Sequence, residues 1–133
     1  MGKEICILFE GAELRARLND SPTARAIEEA LPFEGRANRW GEEIYFTIPV
    51  QVGEAADARQ DMEVGELGYW PVGAAFCIFF GPTPVSNSDR PRAYSNVNPF
   101  GRLEGDEEEL RRTLSSVKEG DTVRVELAAE PGA

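Results

Sequence analysis

Two adjacent acids, Glu42 and Glu43, follow a tryptophan and a glycine in the run Trp40-Gly41-Glu42-Glu43. A pair of carboxyls can divide general-acid and general-base roles when their surroundings pull their pKa values apart. Neighbours in a strand leave on opposite faces, however, so these two converge only if a turn bends them together. A solvated turn accounts for both without any chemistry. Trp40, Tyr69 and Trp70 lie close to turns and combine apolar bodies with polar tips. Such side chains suit the wall of a ligand groove, and they serve equally to seal the end of a barrel. Arg36, Arg39, Arg90, Arg92 and Arg102 are scattered guanidinium donors. Arg90 and Arg92 share one loop, where they either clasp an anionic ligand or keep the surface solvated. The glycines of Gly65-x-x-Gly68 and Gly81-Pro82 do not read as a phosphate loop, because no helix follows either segment.

What is missing narrows the chemistry further. The chain has no histidine, which removes His-based triads, a His general base and any His-containing metal site. Its two cysteines are too few for a structural zinc site, and no Asp-x-Asp-x-Asp-Gly loop occurs; neither a metal nor a cofactor is expected. Cys6 and Cys77 each sit inside an apolar run, where a thiol behaves as a small hydrophobe, so both are expected buried and reduced. With 14 basic against 24 acidic residues the formal charge is −10, which repels nucleic acid and anionic lipid alike. No stretch approaches the roughly 20 apolar residues of a membrane span, and the start Met1-Gly2-Lys3-Glu4 does not read as a secretory leader. An acidic cytoplasmic protein follows. Its 133 residues suit one domain, 1–133, with a core over about 4–128 and a tail that frays after Ala128.

The elements that must position these residues are mostly strands. Ile5 to Phe9 is a short apolar run, and Leu14, Ala16 and Leu18 alternate with Glu13, Arg15 and Arg17, which predicts a hairpin. Ser21-Pro22 reads as an N-cap and first helical position, and Ala24, Ile27, Ala30 and Leu31 make a stripe that stops at Pro32. Ile44, Phe46 and Ile48 alternate with Tyr45 and Thr47. Residues 53–61 show no period and read as an exposed loop. Glu66 to Trp70, a Pro71-Val72-Gly73 turn and Ala74 to Phe80 read as strand, turn and strand. The last is apolar at every position, so one face should fill a barrel and the other should lie under a helix. Tyr94 to Val97 and Phe100 to Leu103 are two short strands parted by Asn98-Pro99. A second helix opens after Asp106 with Leu110, Leu114 and Val117 inward. On it Glu107 faces Arg111 and Glu108 faces Arg112, while the acid run at its start suits the macrodipole. Val123, Val125 and Leu127 point inward from a final strand.

Three segments carry a resemblance: Trp40-Gly41-Glu42-Glu43-Ile44-Tyr45-Phe46, Gly65-Glu66-Leu67-Gly68-Tyr69-Trp70-Pro71 and Phe79-Phe80-Gly81-Pro82-Thr83-Pro84. With Asn96-Val97-Asn98 and Phe100-Gly101-Arg102 they resemble a small prokaryotic cyclophilin-like family of uncharacterised function. The resemblance covers roughly residues 4 to 128. It implies a mostly β fold, a closed barrel of about eight strands with two short capping helices. It also implies a groove on the barrel. The candidates for that groove are Arg39, Trp40 and Glu42 at the turn before the strand that would border it, Tyr69, Trp70 and Phe80 on the strands that follow, and Asn96.

Fold alone does not bring an activity. Cyclophilin isomerases carry a Phe-His-Arg strand, a downstream Phe-Met-x-Gln-Gly-Gly-Asp segment, and a Trp and a His around the proline pocket. The run from Asn38 to Phe46 matches none of these, although Arg36 or Arg39 could stand in for the missing arginine. The expected function is therefore a non-catalytic module that binds a small molecule or an extended peptide in the groove. A weak prolyl isomerase is the alternative. A homo-oligomer is a third reading, which would show as a large apolar patch on one face.

Overall fold

The computed structural model describes residues 3–128. Strands β1 (Glu4–Leu8) and β2 (Glu13–Leu18) form the hairpin that the alternation predicts, with Ile5, Ile7, Ala16 and Leu18 buried. Helix α1 (Pro22–Ala30) begins at Ser21, whose side chain accepts a hydrogen bond from the Ala24 N–H at 3.1 Å, and it buries Ala24 and Ile27. Strands β3 (Phe33–Arg36), β4 (Asn38–Arg39), β5 (Glu43–Thr47), β6 (Arg59–Asp61), β7 (Glu66–Trp70), β8 (Ala75–Phe79) and β9 (Arg92–Leu103) follow in turn. Helix α2 (Glu107–Ser115) and strand β10 (Thr122–Leu127) come last. The fold is mostly β with two short helices, as expected.

The sheet runs β3-β10-β1-β2-β9-β7-β8-β5-β4, and β6 pairs with β9 off this path. This corrects the closed barrel of about eight strands: among the described residues there are ten strands, and no ladder joins the two ends of the path. The reason lies in the stretch from Phe33 to Arg39, which changes partner halfway. Residues 33–36 pair with β10 and residues 38–39 with β5. Ala37 between them bonds instead to the turn before β10, through its N–H to Asp121 O and its carbonyl from Gly120 N, both at 2.8 Å. The strands still wrap one continuous apolar core. It includes Ile44 and Phe46 of β5, Leu67 and Tyr69 of β7, Phe76 and Ile78 of β8 and Phe100 of β9, with Ile27 of α1 and Leu110 and Leu114 of α2 closing it.

β8 is buried at all five positions, but among the described residues no helix covers its outer face. Ala75, Cys77 and Phe79 pack instead with Met62, Ala93 and Val97. The covering element is β9 itself, one strand of 12 residues where two short ones were expected. Its second half pairs with β7 and β2, while its first half leaves the sheet, pairs with β6 and crosses over β8 and β7. Asn98 marks the departure. Its buried amide donates to Thr23 Oγ1 at 3.1 Å and to Gly53 O at 2.9 Å and accepts from the Ala55 N–H at 2.8 Å, so no polar atom is stranded there. Pro99, which has no N–H for the ladder, sits where the β7–β9 register shifts. The crossing also requires Gly68, since a Cβ there would stand 2.7 Å from Val97 Cγ2.

Other expectations divide. Cys6 and Cys77 are both buried and free. Glu108 meets Arg112 at 3.8 Å, but Glu107 pairs with Arg90 at 2.9 Å in place of Arg111. Residues 53–61 are mostly irregular and end in β6, and Leu127 is 49% exposed where the alternation would turn it inward. The tail after Ala128 lies outside the described residues. Among those described, no helix is long and apolar enough to cross a membrane.

Candidate functional site

The crossing of β9 over β8 leaves a cavity of about 280 Å³ between them. Strand alternation decides what lines it. On β5, Ile44 and Phe46 face the core, so Glu43 and Tyr45 face outward into the cavity. On β8, Cys77 lies opposite Tyr45 and Phe79 opposite Glu43. Ala93, Tyr94 and Val97 form the side given by β9, and Trp70 stands at the end of β7.

Trp40 reaches the cavity from the turn into β5. That turn is closed by the Trp40 N–H on Glu43 O at 3.0 Å and the Glu43 N–H on Trp40 O at 3.2 Å. Gly41 sits inside it at φ +59°, a left-handed conformation that strains any residue with a Cβ. Trp70 is held by its indole N–H, which donates to Ser95 Oγ at 2.7 Å. Tyr94 bridges the two tryptophans. Its ring centroid lies 5.9 Å from Trp40 and 6.1 Å from Trp70, at interplanar angles of 75° and 81°. Being 68% exposed, Tyr94 occupies the mouth.

Glu43 is 6% exposed and is the one buried carboxyl among the described residues. Burial pushes its carboxyl up to about 7, and a hydrogen bond with the Cys77 thiol opposes that rise. The thiol is itself raised well above its ordinary value, first by complete burial and then by the neighbouring carboxyl. A thiol in that state is protonated and no nucleophile. Among the described residues no arginine or lysine lines the cavity. The chemistry left to the site is that of a single carboxyl in an aromatic box: it can exchange a proton, accept a hydrogen bond or face a positive charge. A metal ion does not suit it, because no cluster of three ligating side chains exists among the described residues.

Two of the seven groove candidates meet here, Trp40 and Trp70. The others are placed elsewhere. Tyr69 is buried in the core, its hydroxyl donating to Val50 O at 2.6 Å. Phe80 is also core, and the Arg39 guanidinium sits 5.1 Å above its ring. Arg39 donates to Val117 O at 2.7 Å and Ser115 O at 3.3 Å, so it secures the end of α2. Glu42 packs its carboxyl on Gly81, where a Cβ would come within 2.6 Å of its Cδ. Asn96 points to Glu54 at 3.3 Å. Glu43, read from sequence as half of a solvated turn, is buried instead, and Tyr45, Cys77 and Tyr94 join it. A signal for them existed: Glu43 and Tyr45 share the face opposite Ile44 and Phe46, and β8 is apolar on that same outer side.

The solution structure of a hypothetical protein, AF2241 from Archaeoglobus fulgidus, superposes on the chain with a TM-score of 0.78 and 39% identity, covering 96% of this chain and 95% of that one. The structure of McbB in complex with tryptophan gives a TM-score of 0.70 at 16% identity, covering 97% of this chain and 46% of that one, a likeness of fold alone. No curated protein matches. The sequence profile of the Cyclophilin-like family matches residues 3–126, and the chain belongs to that family.

Proposed function

We propose that the protein is a non-catalytic module that binds a small molecule in the cavity between β5, β8 and the crossing half of β9. The observation that carries this reading is the enclosure of about 280 Å³ by Trp40, Tyr45, Trp70 and Tyr94 around one carboxyl. Ligand sites are concave, largely apolar and orient their ligand by a few convergent polar groups. The volume lies at the bottom of the range of small-molecule pockets, which starts at about 300 Å³, and this suits a small molecule better than an extended peptide. McbB, of the same fold, is known in complex with tryptophan, but the reading rests on this chain's own pocket residues.

Non-catalysis is supported by where the arginines go. A prolyl isomerase of the cyclophilin type needs a guanidinium aimed at the prolyl nitrogen. Arg36 donates to Gly120 O at 3.3 Å and Arg39 to the end of α2, both away from the pocket. Purified protein should leave the slow isomerisation of a short X-Pro peptide unaccelerated.

The direct test is a screen of small metabolites read by intrinsic fluorescence and melting temperature. Both tryptophans of the chain line the pocket, so a bound ligand should shift emission and raise the melting point together. Tyr94→Ala removes the ring at the mouth and should weaken each hit by about tenfold. Hits that bind the variant as tightly as the parent would place the ligand elsewhere and refute the reading.

A further inference from the structure

We infer, on the reading that this pocket binds a small molecule, that its ligand is a small organic ammonium ion held among Trp40, Trp70 and Tyr94 and against the Glu43 carboxylate. Three observations converge on a positive charge. The first is that Glu43 is buried with no cation beside it. The titratable side chains on the walls are Tyr45 from the same strand, Cys77 from β8 and Tyr94 from β9. None of these can carry a positive charge in any state. An ionised carboxylate taken out of water demands a partner, and nothing in the walls provides one. The second is the aromatic box. Tyr94 meets both tryptophans nearly at right angles, and all three rings line the same cavity as Glu43. Aromatic faces are the electron-rich surfaces on which ammonium groups settle, and tryptophan is the best of them. The third is the field of the whole chain, whose net charge of −10 draws cations toward it and repels anionic ligands.

An inorganic cation fits these groups poorly. Calcium takes six to eight oxygens and magnesium a near-octahedral shell, whereas this pocket offers one carboxyl and apolar walls. An organic ammonium instead matches both parts of the wall, the charge to Glu43 and its carbon groups to the rings. Because burial holds Glu43 near 7, a cation must displace a proton to bind at lower pH. Affinity for it should therefore fall from about pH 8 to about pH 5.5.

The test uses two charged probes and their neutral isosteres, followed by tryptophan fluorescence at about pH 8. Choline is paired with 3,3-dimethylbutan-1-ol, and benzylammonium with benzyl alcohol. At least one cation should bind about tenfold more tightly than its neutral partner. That preference should vanish in Glu43→Gln, which keeps the shape of the side chain and removes its charge, and it should shrink in the parent at about pH 5.5. Equal binding of cation and isostere, or a preference that survives Glu43→Gln, overturns the inference while leaving the pocket as a binding site. Silence toward all four probes at about 10 mM also overturns it. If neutral or anionic hits sensitive to Tyr94→Ala still emerge from the wider screen, only the ligand class is wrong; if none emerges, the pocket reading falls too.

Discussion

On its inner face β8 sets Phe76 among three other rings, with centroids 6.2 Å from Phe33, 5.0 Å from Phe46 and 4.9 Å from Phe100. On its outer face the same strand sets Cys77 beside the buried carboxyl of Glu43 and a cavity of about 280 Å³. Both faces are shielded from water, so burial alone does not distinguish them. The inner face is filled by rings that gain from each other in edge and stacked contacts, each such pair worth about 0.5–1.5 kcal/mol beyond its area. The outer face keeps two edge-on ring pairs at its rim, Tyr94 with Trp40 and with Trp70, but leaves a void beneath them and carries an ionisable group without a counter-charge. A fold departs from the locally stable choice where something other than stability is selected, and here the departures gather in one place.

The largest effect that would sharpen this contrast is expected on the inner face. Phe76→Ala should cost about 3–5 kcal/mol, because it removes a fully buried ring with three aromatic partners and leaves a hole the sheet cannot close. Urea denaturation measures it. A cost below about 1 kcal/mol would mean the inner face is as loosely filled as the outer one, and the contrast would break.

Next in size is Glu43, where the outer face should gain from a change that removes chemistry. Its carboxyl is raised from 4.5 to about 7 in the folded chain. Below about pH 4.5 it is protonated in both folded and unfolded chains, and its contribution to stability is fully present. Between about 4.5 and 7 the unfolded chain releases the proton first, and that contribution is lost as pH rises, in all on the order of 3 kcal/mol. Glu43→Gln cannot ionise. It should melt several degrees above the parent at about pH 8 and by well under half that margin at about pH 5. An equal margin at both pH values would show that the carboxyl ionises as readily in the fold as in the unfolded chain, so that burial does not raise it.

The contrast also marks how far the sequence could be read. Inner faces follow from periodicity: Ile44 and Phe46 on β5 with Ile48 just after it, and the hairpin of β1 and β2, are where their alternation puts them. Both helix starts follow from Ser21 and Asp106, whose side chains cap them. The outer face was harder because its lid is not local. Asn98-Pro99 looks like a strand break, since proline has no N–H to give, yet the chain passes through it by shifting register and bonding Asn98 to α1 and the 53–55 segment. Once β9 is one strand, its first half has to cross β8, and Glu43 and Tyr45 are enclosed. Trp40 and Trp70 were legible as amphipathic aromatics near turns. Tyr69 carries the same signal and Arg39 reads as a loose guanidinium donor, but their partners are backbone groups after β5 and at the end of α2. Residue type alone does not separate a side chain that lines a pocket from one that fastens the frame around it.

The smallest effect tests the crossing that creates the outer face. Gly68 on β7 lies under Val97 on β9, and a methyl group placed there would be 2.7 Å from Val97 Cγ2, 3.1 Å from its Cβ and 3.3 Å from Met62 Cε. Gly68→Ala gains a little from the reduced freedom of the unfolded chain and loses more by pushing two packed strands apart, a net cost of about 1–3 kcal/mol. Val97→Ala removes the nearest of those atoms and should cost about 0.5–3 kcal/mol by itself through lost burial. The two changes touch the same space, so they should not add. In the double variant the new methyl occupies part of the volume that Val97 vacated, and the pair should be at least about 1 kcal/mol more stable than the sum of the singles predicts. Strict additivity in the double-mutant cycle would mean that β9 does not rest on β7 at this point. The lid over Glu43 would then depend on its pairing with β6 and on side-chain bonds such as Trp70–Ser95 and Thr83 to Arg92 O, and the outer face would be looser than its burial implies.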